Sequence, residues 1–374
     1  MEREELGAWL RLSLTPGLGN TSARRLLAAF GPPETLYAQS PEALQTILTP
    51  AQVAALLQVP EDWAPLLDST WAWLQAEPTA RTVVTLGDPA YPQALLNIED
   101  PPLLLYLSGR IDLPLDSARS LAIVGSRNPT PQGALNARQF ATALAEQGLT
   151  IVSGLALGID GAAHEGALAG ARGAERLATV AVVGTGADRV YPKSHHALAH
   201  RISEHGLIVS EYPLGTPPLA ANFPRRNRLI AGLSNATLVV EAALQSGSLI
   251  TARLAAEQGK EVFAILGSIH ATQSRGCHAL IRQGAKLVES AQDVLEDLPG
   301  FAAGLSPAPA ASAPLDPAPD DLLQALGMDP VSLDALQART GLDTARLQVR
   351  LMALELEGQV ARLPGGLLQR LVRG

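Results

Sequence analysis

Four turns in this chain combine glycine with hydroxyl or cationic side chains, a composition suited to holding anionic oxygens. They are Gly125-Ser126-Arg127, Ser153-Gly154 with Leu155-Ala156-Leu157-Gly158 after it, Gly184-Thr185-Gly186, and Ser246-Gly247-Ser248. Backbone N–H groups in such turns can converge on a phosphate, and the Arg127 guanidinium can fork onto one. A further stretch, Phe223-Pro224-Arg225-Arg226-Asn227-Arg228, adds three guanidinium groups and a ring. The arginines suit a row of phosphates, and Phe223 or Tyr191 suits the face of a base. Arg228 has a second reading, an ion pair with Glu241 inside the fold.

Other polar groups offer less chemistry. Asp160 and His164 stand at i, i+4 on a helix, where they can do acid–base work or fix the turn before them; no adjacent nucleophile is evident, which favours the turn. His195, His196, His200 and His205 lack the spacing of a structural zinc site and have no cysteine nearby, so neither a metal nor a catalytic group is expected. No Gly-x-x-x-x-Gly-Lys-Ser/Thr occurs, and Gly184-Thr185-Gly186 lacks the third glycine of a dinucleotide fingerprint. No cofactor is therefore expected.

These turns need a scaffold that lines them up on one edge. Short apolar runs supply it at Leu121–Val124, Thr150–Ser153, Thr179–Val183, Leu207–Ser210, Thr237–Val240, Glu261–Leu266 and Lys286–Val288, with helical patterns between them, as at 130–147, Gly158–Ala169 and Leu249–Glu257. Alternating strands and helices predict an α/β fold, a parallel sheet covered on both faces with ligands at the strands' carboxyl ends. We read residues 76–298 as this extended Rossmann-like core, its 76–118 portion a loop with one strand around Leu103–Leu107, since Pro89, Pro92, Pro101 and Pro102 break helices. Residues 1–75 read as a helical, SAM-like domain. Its Thr15-Pro16-Gly17-Leu18-Gly19 resembles the turn of a helix-hairpin-helix, and Ser40-Pro41 and Thr49-Pro50 read as helix starts. Residues 299–319, rich in Ala and Pro, read as a linker, and 320–374 as three helices and a hairpin, a winged helix. Its third helix mixes Arg346 and Arg350 with Glu355 and Glu357, less basic than a DNA-reading helix.

Composition narrows the partners. The 374-residue chain is 47% hydrophobic and 17% charged, enough apolar matter for real cores. Its net charge of −8 excludes a generally basic surface, yet residues 189–228 hold six Lys/Arg against two Glu. Any nucleic acid must then be met by one basic groove. The single Cys277, the lack of a signal-like start and the lack of a bilayer-length apolar stretch lead to the expectation of a cytoplasmic protein without a membrane partner.

The ordered set of motifs resembles the DNA-processing protein A (DprA, or Smf) family over nearly the whole length. The residues that carry the likeness are Gly125-Ser126-Arg127, Ser153-Gly154-Leu155-Ala156, Gly158-Ile159-Asp160, Ala163-His164, Tyr191-Pro192-Lys193, Ser210-Glu211-Tyr212, Phe223 through Ser234, Glu241 and Ser246 through Ala252. The resemblance implies a non-enzymatic protein that binds single-stranded DNA during natural transformation, shields it, and loads a RecA-type recombinase. It makes Arg127 and Lys193 the principal DNA contacts. It also implies a homodimer, and a recombinase contact close to the same surface, around Gly276–Ile281, with His278, Leu280, Ile281 and Leu287 as the contact residues. Two departures from the family pattern, Leu266-Gly267 and Ala187 in Gly186-Ala187-Asp188, fall near turns and leave the basic groove untouched.

An alternative from a different class is a nucleotide N-glycosidase resembling the phosphoribohydrolases, which share a similar core. Those enzymes carry a glutamate one helical turn after the late glycine turn. Here Ser246-Gly247-Ser248 runs into Leu249-Ile250-Thr251-Ala252-Arg253, so that acid–base group is missing.

Overall fold

The structure, a computed structural model, describes residues 1–298, 301, 321–327, 330–363 and 365–371. Apart from Phe301, the linker expected at 299–319 lies outside the described residues.

The chain opens with helices α1 (Arg3–Leu14), α2 (Asn20–Phe30), α3 (Pro33–Leu36), α4 (Pro41–Leu44), α5 (Pro50–Leu57) and α6 (Trp63–Ala76). Their starts follow local chemistry. Ser40 accepts from the Ala43 N–H ahead of Pro41, and Thr49 forms a capping box with Gln52 ahead of Pro50. Leu6, Leu10, Leu26 and Leu56 are sealed in a cluster that also takes in Val83, Leu104 and Tyr106 from the sheet, so the helices pack on the core rather than beside it.

The strands and helices that follow are β1 (Arg81–Thr85), β2 (Leu104–Gly109), β3 (Ser120–Val124), α7 (Pro131–Glu146), β4 (Thr150–Ser153), α8 (Ile159–Gly170), β5 (Thr179–Val182), α9 (His196–His205), β6 (Leu207–Ser210), α10 (Asn222–Gly232), β7 (Ala236–Val239), α11 (Ser248–Glu257), β8 (Glu261–Ile265), α12 (Arg275–Arg282), β9 (Lys286–Val288) and α13 (Ala291–Asp297). They build one sheet in the order β1-β2-β6-β5-β4-β3-β7-β8-β9. From β6 to β9 every pairing is parallel, while β1 and β2 join antiparallel. The expected single strand in 76–118 is corrected to two. Arg81-Thr82-Val83-Val84-Thr85 is a β-branched run that pairs with β2 in register Val83 to Tyr106.

Strand order reverses at β3: β4, β5 and β6 lie to one side, and β7, β8 and β9 to the other. Loops leaving β3 and β7 therefore diverge and open a crevice at the carboxyl edge. Leu121, Ile123, Ile151, Leu238 and Phe263 seal one face of the sheet; Ala122, Val152, Val180, Val209 and Leu229 seal the other.

The C-terminal part comprises α14 (Asp321–Leu326), β10 (Val331–Ser332), α15 (Leu333–Thr340), α16 (Thr344–Leu356), β11 (Val360–Leu363) and β12 (Leu367–Arg370), a winged helix around Leu336, Leu347 and Leu351. Among the described residues no helix is long and apolar enough to cross a membrane.

Candidate nucleic-acid interface

The crevice between the β3 and β7 loops is a cleft of about 490 Å³. Its walls include Gly125, Ser126 and Arg127 after β3, Phe223, Arg226 and Asn227 from α10, and Ser246, Gly247 and Ser248 at the head of α11. Three separated stretches of sequence thus meet where the topology predicts a ligand. Ser246 and Ser248 share a hydroxyl contact of 2.7 Å, and the Asn227 amide donates to the Gly247 carbonyl at 3.2 Å, fixing the α11 turn to α10.

Aromatic and cationic groups line up beside it. The Tyr191 and Phe223 rings lie 5.5 Å apart, and the Arg127 guanidinium stands 5.6 Å over the Phe223 ring. Lys193, exposed on a short 3-10 turn, follows Tyr191 by two residues. An exposed Arg and two rings in contact can neutralise a phosphate and stack bases together, and the exposed Lys193 adds charge two residues on from Tyr191.

The arginine run is not uniformly exposed, which corrects its reading as three phosphate ligands. Arg225 is open to solvent and reaches Asp100 at 3.8 Å. Arg226 is 3% exposed and donates to the carbonyl oxygens of Gly154 and Val182. Burial lowers its pKa to about 10, so it stays cationic at neutral pH. Arg228 forks onto Glu211 at 2.6 and 3.0 Å, and not onto Glu241. Asp100 accepts from Asn20 and Arg24 of α2, both at 3.1 Å, and stands 3.6 Å from Arg228. This carboxylate ties the N-terminal helices to α10.

Ser153 and Gly154 are likewise committed inside the fold and do not line the cleft. Ser153 is fully buried and donates to the Ile123 carbonyl at 2.6 Å, while a Cβ on Gly154 would lie 2.5 Å from the Arg226 guanidinium. The turn they open passes through Leu155 at φ 57° and Gly158 at φ 80°. A leucine in the left-handed region costs about 1 kcal/mol, so the surroundings must hold it. They do so through histidines. The Leu155 N–H donates to His164 Nε2 at 3.3 Å, and His195 Nδ1–H donates to the Leu155 carbonyl at 3.1 Å. His164 Nδ1–H in turn donates to Thr179 Oγ1 at 2.7 Å, whose own proton goes to the Ile151 carbonyl. A neutral imidazole satisfies every partner. Burial, with the His195 and Arg226 charges nearby, pulls the His164 pKa down to about 3. Asp160 accepts from the Ala156 N–H at 3.3 Å; burial raises its pKa, opposed by the Arg226 charge. The Asp160–His164 pair is thus a turn-fixing network.

The N-terminus of α7, the helix that follows the Gly125-Ser126-Arg127 turn, does not offer its N–H groups to a ligand. Thr130 caps α7 by accepting from the Gly133 N–H, and the Glu241 carboxylate accepts from the Thr130 N–H at 2.9 Å and its hydroxyl at 2.6 Å. An internal anion already occupies the position a phosphate would take.

His278, Leu280, Ile281 and Leu287 lie toward the β9 end of the sheet and do not line the cleft. His278 Nε2–H donates to the Gly267 carbonyl at 2.9 Å, and Leu280 and Ile281 pack partly onto the core. Leu287 is 43% exposed on the edge strand. Leu280 also lines a groove of about 600 Å³ between α11 and α12. Among the described residues no group of three His, Cys, Asp or Glu is placed to hold a metal ion.

Sequence reasoning missed Asp100, whose partners are remote in the chain. It also missed that Asn222–Gly232 is helical. The signal was present: Arg226, Leu229, Ile230 and Leu233 recur at i, i+3, i+4 and i+7, one inward face.

The fold and cleft define a class: an extended Rossmann-like protein with a helical N-terminal module, a winged helix, and a basic, ring-lined cleft at its switch point. The family model described as DNA recombination-mediator protein A matches residues 82–299, and that of the DprA winged helix domain matches residues 306–366. The chain belongs to the DprA/Smf family. It is 41% identical over 329 residues to Protein Smf of Escherichia coli, covering 86% of this chain and 85% of that one. It is 48% identical over 210 residues to DNA processing protein DprA of Streptococcus pneumoniae, 56% of this chain and 72% of that one. The solved structure of the Streptococcus pneumoniae protein superposes with a TM-score of 0.65 at 37% identity, covering 80% of this chain and 98% of that one. DNA processing protein A from Helicobacter pylori, whose structure is described as giving insights into a unique single-stranded DNA binding mode, matches with a TM-score of 0.51 at 34% identity, covering 57% of this chain and 94% of that one.

Proposed function

We propose that this protein binds single-stranded DNA in the cleft between the β3 and β7 loops, without catalysing a reaction on it, and loads a RecA-type recombinase onto the strand during natural transformation. The observation that carries the DNA reading is the stacking of the Arg127 guanidinium over the Phe223 ring in the wall of that cleft, with the Tyr191 ring beside Phe223. The family's description as a recombination mediator and the Helicobacter pylori relative support it. On this reading Arg127, Lys193 and Arg225 meet phosphates, Ser126, Ser246 and Ser248 donate to them, and Phe223 and Tyr191 stack on bases. Arg226, Ser153, Gly154 and Asn227 hold the walls. The protein acts in the cytoplasm as a homodimer, and the α12–β9 edge with His278, Leu280, Ile281 and Leu287 is its contact surface for a second copy and for the recombinase.

The test is equilibrium binding of a labelled oligo-dT and a matched duplex over a salt series. Log affinity for the single strand should fall linearly with log salt, by about 0.7 per phosphate neutralised. A flat line would sink the reading. Loading is read separately, as recombinase filament formation on DNA pre-coated with a single-strand binding protein. The glycosidase alternative finds Asp160 as the carboxylate lining the cleft, and its oxygen is engaged by the Ala156 N–H beside Arg226. Free base released from a nucleoside monophosphate would revive it.

A further inference from the structure

Helix α16 has two apolar faces. Leu347, Leu351 and Leu354 close the winged-helix core at 0%, 0% and 6% exposure. On the opposite side Val349, Met352 and Leu356 stand 71%, 62% and 83% exposed, with exposed Ala345 one turn before them. This is the third helix, which in DNA-reading winged helices enters the groove. A groove-reading face would be basic and polar; this one is hydrocarbon.

The spacing 345, 349, 352, 356 alternates steps of four, three and four, the seam of a two-helix coiled coil. We propose that α16 pairs antiparallel with α16 of a second copy of this chain about a two-fold axis between residues 350 and 351. That register sets Ala345 against the partner's Leu356 and Val349 against the partner's Met352. Each layer then faces a smaller side chain with a larger one, so the seam is complementary to itself, as an isologous contact requires. On its flanks Gln348 falls beside the partner's Glu355, and Arg346 beside the partner's Ala353, so no like charges meet. A parallel register would stack Leu356 on Leu356 and Ala345 on Ala345, leaving one layer crowded and one hollow.

The linker between core and winged helix is a poor candidate to cover this face. Residues 302–320 hold only Leu305 and Leu315 as large aliphatic side chains, with prolines between them. A 13-residue helix spans only about 20 Å, and a pair that short falls below the ~1,200 Å² of standard stable complexes. The contact is therefore weak and is best trapped covalently. None of its residues lines the DNA cleft or belongs to the α12–β9 edge, so it stands or falls independently of both.

Disulfide trapping in the full chain reads the register directly, because the native Cys277 is buried. Ala345→Cys and Leu356→Cys are made singly and together, and each protein is air-oxidised at high concentration. Positions 345 and 356 of one chain are about 16 Å apart, beyond the ~7 Å limit for a disulfide, so bridges form only between chains. The proposal expects a covalent dimer from the double variant and none from either single variant. Dimers from the single variants would replace the antiparallel register with a parallel one. No dimer from any variant, with an unchanged circular-dichroism spectrum showing that all are folded, would overturn the pairing. Adding Met352→Glu to the double variant should abolish trapping; persistent trapping would show random collision and overturn it as well.

Discussion

Arg226 lies directly under Gly154: its guanidinium donates to the Gly154 carbonyl at 2.6 Å, and the space a Cβ at 154 would need is filled by that guanidinium. The glycine is required by the arginine. A pair that in sequence resembles two phosphate contacts is a floor joint, holding α10 to the turn after β4.

Removing the joint should show in stability. Arg226→Ala leaves the Gly154 and Val182 carbonyls without this donor and the buried Asp160 without its counter-charge, a loss of about 3–5 kcal/mol by analogy with broken buried pairs. Urea denaturation checks it. A variant as stable as the parent would show that the pair contributes nothing.

Arg127→Ala and Lys193→Ala should behave in the opposite way. Both side chains are exposed, so the denaturation midpoint should stay within about 0.5 kcal/mol of the parent. Single-strand affinity should fall, and the salt slope should shrink by about 0.7 for each lost phosphate contact. Anisotropy titrations at several salt concentrations measure both.

Phe223→Ala should weaken single-strand binding by about 1–3 kcal/mol, nearly equally at all salt concentrations, because stacking is not a counterion effect. Phe223→Tyr should restore it. A changed salt slope with unchanged affinity in moderate salt would assign the ring to positioning Arg127.

Acid should loosen the turn around Leu155. The folded pKa of His164, about 3, lies below the 6.5 of an unfolded histidine, so the unfolded chain takes up the proton first. This contribution is complete above pH 6.5 and is lost as pH falls toward 3; at pH 5 the loss is about 2 kcal/mol. His164→Gln, tested by urea midpoints at pH 7 and pH 5, should start lower and fall less. A parent and variant that fall in parallel would place the acid sensitivity elsewhere.

The parallel strands were legible because each is a short apolar run ended by a turn residue, and the winged helix because its helices start at Ser332 and Asp343 caps. The gathering of Gly125–Arg127 with Ser246–Ser248 followed from topology once the strand order was known. The roles within Arg225–Arg228 were hidden, because three arginines look alike until helical phase and distant carboxylates are placed. Arg228 finds Glu211 17 residues before it in the chain, and Asp100 is over a hundred residues away. The strand at Arg81–Thr85 was obscured by the prolines that follow it.

The Glu241 carboxylate on the α7 terminus has a consequence for the shape of the ligand. Many nucleotide folds end their ligand there, with a terminal phosphate plugged into the helix. This chain supplies its own plug, so the cleft has no dead end at that helix. A strand bound there gains nothing at that helix from a free 5′ or 3′ phosphate end. Covalently closed circles of single-stranded DNA should then compete for the cleft, nucleotide for nucleotide, as well as linear strands do.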